Sequence, residues 1–101
     1  MPLYTLSKDA ENDLRQIAKY TIEKWGKGQL ETYRSSLTAE FDKIGKSTVI
    51  SRTYSTSLPD IKFFRAKEHF IFYVKSNNEK PIIIAVLHKS RDILEHLATR
   101  S

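Results

Sequence analysis

The sequence predicts an α+β fold in the order β-α-α-β-β-β-α, a helical hairpin packed on a small, mostly antiparallel sheet. Three observations predict it. Two adjacent stretches in the first half carry apolar residues at helical spacing, with only Gly26-Lys27-Gly28 between them, which folds the helices back on each other. Three runs in the second half are rich in β-branched and aromatic residues and are separated by turn formers. The 101 residues contain no internal repeat, low-complexity tract or linker, so one domain is expected over 1–101.

Residues 3–6, LYTL, read as a short strand. Ser7 is a natural N-cap, its hydroxyl able to accept from the free amides of the next turn. Ala10, Leu14, Ile17, Thr21 and Trp25 follow at helical spacing, and Asp9, Glu11 and Asp13 suit the positive end of the helix dipole. Gly26 stops this helix. Leu30, Tyr33, Leu37, Phe41 and Ile44 then step by three and four until Gly45. Residues 46–60, KSTVISRTYSTSLPD, read as a long connection with Pro59-Asp60 as a turn. Strands are predicted at 61–66, 69–75 and 81–88, joined by the tight turn Lys67-Glu68 and a longer one over 76–80. Residues 91–98 read as a short helix or helical turn carrying Ile93, Leu94 and Leu97.

Simple alternation makes both faces of this sheet apolar. Phe70, Phe72 and Val74 lie opposite Ile71 and Tyr73; Ile82, Ile84 and Val86 lie opposite Ile83, Ala85 and Leu87. A two-helix hairpin covers one face. The other is covered either by the C-terminal helix and the long connection, or by a partner chain.

Seventeen Lys+Arg against twelve Asp+Glu leave a net charge of +5 and a pI near 9.5. That balance favours acidic partners: nucleic acid, an enzyme that handles it, or an acidic inhibitor chain. The absence of cysteine removes disulfides and thiolate metal sites and fits a reducing cytoplasm. MPLYTLSKD has no secretory pattern, and the apolar run 82–87 falls far short of the roughly 20 residues that span a bilayer. A cytoplasmic protein without membrane contact is therefore expected. His88 and Asp92 are too few ligands for a metal, so no metal or cofactor is expected.

The stretch IIIAVLHKSRD, 82–92, drives an apolar strand into a histidine and cations. Metal-free RNA cleavage needs a base, an acid and cations for the phosphorane charge. His69 and His88 fit the first two roles, with Arg65, Lys89 and Arg91 as cations. Register decides whether they meet: pairing 69 with 86 puts both histidines on one face, pairing 69 with 87 on opposite faces. The plainer alternative is that His88 ends a strand by bonding backbone and His69 begins one; His96 stands without company. Lys62, Arg65 and Lys67 form a basic strip with Lys89 and Arg91, either a solvated face or a landing site. Trp25 either packs the hairpin tip or docks a partner, and Tyr33, Leu37 and Phe41 fit the core. No helix-turn-helix pattern and no ribbon of interleaved aromatics and cations occurs, so sequence-specific DNA binding by this chain alone is not expected.

Lys24-Trp25-Gly26-Lys27, then Leu58-Pro59 leading into Phe63-Phe64-Arg65, then His69-Phe70-Ile71-Phe72-Tyr73, then Val86-Leu87-His88-Lys89-Ser90-Arg91-Asp92 together resemble the ParE toxins of bacterial toxin–antitoxin modules. The resemblance covers nearly the whole chain in order, and its most specific part is H-x-I-F-Y followed by V-L-H-x-x-x-D. Ala85 and Arg91 depart from it, where many relatives carry arginine and methionine. It implies the fold of the RelE ribosome-dependent ribonucleases, no catalytic residue of its own, and a target, DNA gyrase, stalled with its DNA cleaved. It also implies a cognate ParD-type antitoxin that binds operator DNA for the pair and wraps the hairpin and sheet. On that implication Arg65, His88, Lys89 and Arg91 are expected at the target, and Trp25, Leu30, Tyr33, Leu37 and Tyr73 at the antitoxin. The alternatives are a ribosome-dependent mRNA endonuclease using His69, His88, Arg65 and Arg91, and a non-toxic scaffold that only co-represses an operon.

Overall fold

A computed structural model describes residues 3–46, 51–55, 58–75, 79–89, 93 and 97. The chain opens with β1 (Thr5–Leu6). Ser7 Oγ accepts from the Ala10 N–H at 3.1 Å, meeting one of the amides that a first helical turn leaves free. The helix it starts, α1 (Lys8–Trp25), buries Ala10, Asp13 and Thr21 beside half-buried Leu14 and Ile17, a stripe at helical spacing.

Gly26 alone joins the helices. Its φ of 90° and ψ of 173° are open essentially to glycine only. Its N–H donates to the carbonyls of Thr21 and Ile22, and its own carbonyl accepts from the Leu30 N–H, so one residue closes α1 and opens α2 (Lys27–Gly45). Lys27 and Gly28, expected in the connection, are the first turn of α2. Leu30, Leu37, Phe41 and Ile44 form its buried stripe.

The end of α2 meets the start of the chain, so the helices run antiparallel. Tyr4 and Phe41 rings lie 5.4 Å apart between centroids, and a Cβ on Gly45 would come 2.8 Å from the Leu3 carbonyl oxygen and 2.3 Å from its Cβ. Gly45→Ala is therefore expected to push the first strand off the helix and cost about 1–3 kcal/mol. A lower urea midpoint at unchanged slope would show this.

The sheet adds β2 (Arg52–Ser55), β3 (Leu58–Ala66), β4 (His69–Val74) and β5 (Ile82–His88) in the order β1-β5-β4-β3-β2. β1 runs parallel to β5 and the other neighbours are antiparallel. Two expectations are corrected here. The connection over 46–60 contains β2, and Pro59-Asp60, read as a turn, lies in β3. β2 is an edge strand with one neighbour, so nothing obliges Arg52-Thr53 to be apolar; a proline near the start of a strand removes no essential ladder bond. Most of the helix expected over 91–98 lies outside the described residues, but Ile93 and Leu97 are helical and buried.

Both faces of the sheet are covered. On the helix side Ala10, Leu37, Phe41 and Ile44 pack with Ile71, Tyr73, Ile83 and Val86. On the other side Ile93 and Leu97 pack with Ile61, Phe72, Ala85 and Leu87. The β4–β5 ladder slips between Phe72↔Ala85 and Tyr73↔Ile83, leaving Ile84 as an extra residue in β5. Such a bulge inverts alternation. Ile83 thus joins Val86 on the helix side, not Ala85 and Leu87 as simple alternation predicts.

Candidate functional site

β5 has a strand neighbour on its outer side only at Ile82 and Ile83. The segment leading into α1 then takes over. Ser7 donates through its N–H to the Ile83 carbonyl at 2.9 Å and through Oγ to the Ile84 carbonyl at 3.4 Å. Asp13, only 7% exposed, accepts from the Val86 N–H at 3.0 Å. An otherwise unpaired strand edge is thereby satisfied by a helix. These bonds hold α1 over β5 as one wall of a groove.

That groove is a half-open cavity of about 710 Å³ between the helices and the end of the sheet. Tyr20 and Trp25 of α1, Tyr33 of α2 and the Lys67–His69 turn line it, with His88 at its floor. His69 and His88 are direct cross-strand partners, so they share a face. Their rings stand edge to face, 5.3 Å apart at 87°.

Tyr33 OH hydrogen-bonds His69 Nδ1, clasping α2 to β4. Burial first, then the charge of His88, push the His69 pKa down to about 4, against a weaker upward pull from Glu68 and Asp13. Burial, then Glu68, push Tyr33 up to about 12. At neutral pH Tyr33 therefore keeps its proton and His69 is neutral, with Nδ1 committed to the Tyr33 hydroxyl. In this state His69 has no charge to act as an acid, and one of its two ring nitrogens is tied to α2.

The same clasp makes stability depend on pH. His69 titrates near 6.5 when unfolded and at about 4 in the fold, so between those values the unfolded chain binds more protons. Stability is expected to fall as pH drops from 6.5 towards 4 and to stop responding to this group below that. Solvent reaching the ring weakens the effect. His69→Gln, which keeps an acceptor for Tyr33, should flatten this part of a urea-midpoint profile; an unchanged profile would assign the slope to carboxylates instead.

The expected target-binding cations gather at the same end of the sheet. Arg65 pairs with Phe70 and so starts from the face opposite the histidines, but its Nε reaches the Lys67 carbonyl at 2.7 Å. Lys67 closes the β3–β4 turn with a φ of 57°, left-handed for a residue with a Cβ. Lys89 Nζ meets the Glu68 carboxylate at 2.8 Å. That hydrogen bond and charge, with Arg65 and His88 further off, hold Glu68 below the usual carboxylate range. Lys62 stands apart from this group and donates to Thr53 Oγ1 at 2.9 Å. Arg91 and His96 lie outside the described residues.

The expected antitoxin contacts separate into two sets. Trp25 is 66% exposed at the hairpin tip and Tyr33 is half-buried. Leu30, Leu37 and Tyr73 are buried within the chain itself. The two leucines belong to the inner stripe of α2, and the Tyr73 hydroxyl bonds Ser51 Oγ at 2.6 Å. Asp13 and Tyr20 were not foreseen. The signal for Asp13 is its place three residues after Ala10 in a buried stripe, where an acid needs a partner. Among the described residues no group of three or more His, Cys, Asp or Glu could hold a metal, and no helix is long and apolar enough to cross a membrane.

The family model of the ParE toxin of type II toxin–antitoxin systems, parDE, matches residues 4–93. A similar protein is Toxin ParE of Escherichia coli, 29% identical over 100 residues that span 99% of this chain and 97% of that one. Among solved structures, the chromosomal ParDE toxin–antitoxin system from P. aeruginosa shares the fold, with a TM-score of 0.69 at 11% identity over 87% of this chain and 98% of that one.

Proposed function

The chain belongs to the ParE toxin family of type II toxin–antitoxin systems, and on that premise we propose that it arrests DNA gyrase with its DNA cleaved and is silenced by a ParD-type antitoxin. The whole chain acts as one toxin domain in the cytoplasm. The observation that carries the choice of a gyrase poison over a ribonuclease is the Tyr33–His69 bond. It ties one ring nitrogen of His69 to α2 and so supports a structural role for this histidine.

Arg65, His88, Lys89 and Arg91 then serve as a basic lip for the target, with the net charge of +5 steering the approach. Trp25 and the exposed edge of Tyr33 serve as antitoxin contacts, and operator DNA is reached through the antitoxin. Purified protein incubated with gyrase, ATP and plasmid should yield linear plasmid trapped on the enzyme and leave a parallel translation reaction unharmed. Arg65→Ala is expected to weaken that arrest about tenfold, the usual effect of losing one interface arginine, without changing the unfolding midpoint. Full potency in Arg65→Ala and Arg91→Ala together would remove the basic lip from the mechanism.

The second reading, mRNA cleavage on the ribosome, draws on the two histidines sharing a face. It requires intact supercoiling, cut mRNA, and loss of cutting in His88→Ala while ribosome binding survives.

A further inference from the structure

We propose that the groove between the helical hairpin and the end of the sheet binds single-stranded DNA, taking an unpaired base between its aromatic walls and the neighbouring phosphates on its lysine rim. The choice of DNA rests on the gyrase reading above, in which the target carries cleaved DNA; the stacking chemistry rests on the groove alone.

Tyr20 and Trp25 are 57% and 66% exposed, unusual for rings of that size, and both line the groove with Tyr33. Exposed aromatic faces beside cations are the recognition surface of single-stranded nucleic acid, because every base has a π-face to stack. The cations are in place. Lys24 Nζ, beside the lining rather than in it, donates to the Tyr20 hydroxyl at 3.1 Å and stands 5.4 Å from the Tyr20 ring centre and 5.9 Å from that of Trp25, and Lys67 Nζ lies 6.0 Å from that of Tyr33. Among the described residues neither lysine forms an ion pair. Of the two carboxylates of the lining, Asp13 accepts from the Val86 N–H and Glu68 is paired with Lys89, so neither is paired with Lys24 or Lys67.

Size and polarity agree. The cavity of about 710 Å³ falls within the roughly 300–1,000 Å³ of small-ligand sites. Gln16 and Gln29 add side-chain amides, donor and acceptor together, at its wall. No such ribbon is visible in the sequence because the aromatics and lysines come from α1, α2 and the β3–β4 turn; the fold brings them together.

Trp25 is the only tryptophan, so its fluorescence reports on this groove directly. The experiment titrates the full chain, without gyrase, with oligo-dT of about 12 nucleotides, a length matched to single-strand site sizes. The expected result is saturable quenching, much weaker with duplex DNA of the same length. Tyr20→Ala, an exposed change that leaves Trp25 in place, should weaken binding about tenfold. Lys67→Ala should lower the slope of log affinity against log salt by about 0.7, the loss of one phosphate contact. The proposal is overturned if quenching does not saturate, if duplex binds equally, or if both variants match the parent. Tighter binding of oligo-U than of oligo-dT would overturn the choice of DNA. Because gyrase is absent, failure here leaves the gyrase reading intact, and a failed gyrase assay with intact oligonucleotide binding would sink only that reading.

Discussion

Leu97→Ala is expected to cost about 2–5 kcal/mol of stability, a large share of the roughly 5–15 kcal/mol that holds a typical domain. The expectation comes from the two-sided sheet. Leu97 is 1% exposed and packs with Phe72, Leu87 and Ile93 on the face away from the hairpin. Both helices are committed to the opposite face, so no described helix can move in to fill the space. Truncation leaves a cavity over Phe72, itself fully buried, and opens the half-buried Phe63 and Phe70 pair, whose rings lie 5.8 Å apart, to water. Urea unfolding should show a lower midpoint for Leu97→Ala and little change for Ile82→Ala, whose side chain is 38% exposed. Equal effects for the two would mean that Leu97 is not the cover of this face.

Asp13→Ala should cost about 2–3 kcal/mol, the range for a hydrogen bond to a charged group whose loss strands a buried partner. The stranded partner is the Val86 N–H, in a residue 2% exposed on a part of β5 that β1 does not reach. Alanine offers no acceptor in its place. Asp13→Asn keeps a carbonyl oxygen at the same place and should lose much less. Amide hydrogen exchange at Val86 is the specific readout, because it should accelerate in Asp13→Ala before global unfolding does. If the asparagine and alanine variants were equally unstable, charge rather than the hydrogen bond would be the contribution of Asp13. The substitution also removes a charge that draws the His69 pKa upward, so His69 should titrate still lower in both variants.

The hairpin and the three central strands were legible because their signals are local. Ser7 before an apolar stripe, a glycine in a left-handed bend, and alternation from His69 to Val74 each act over a few residues. β2 was not legible, since an edge strand with one neighbour carries no apolar requirement and Arg52-Thr53-Tyr54-Ser55 reads as polar connection. Simple alternation failed at Ile84, where a single inserted residue turns the strand over. For the site, the sequence could name His69 and His88 but left two registers open, and only the ladder pairs them. Apolar residues for a partner and for a core look alike in a stripe, so Leu37 suited either; Leu30, Leu37 and Tyr73 are packed inside the chain. Asp13 looked like one of several acids suited to a helix dipole. Its role depends on Val86, 73 residues away.

That separation also governs when the molecule can exist. Thr5 pairs with Ile82, Ser7 reaches Ile84 across 77 positions, and Asp13 reaches Val86 across 73. A ribosome adding about 5–20 residues per second makes the first strand several seconds before its neighbour. Until β5 has emerged, the opening strand has no strand partner, the first helix has only α2 to lie against, and the groove lacks Val86 to His88 of its lining. Contacts of such long range also close slowly. A chain cut short before residue 86 therefore lacks Val86, Leu87 and His88, which line the groove. The fold is completed only after its last strand is made.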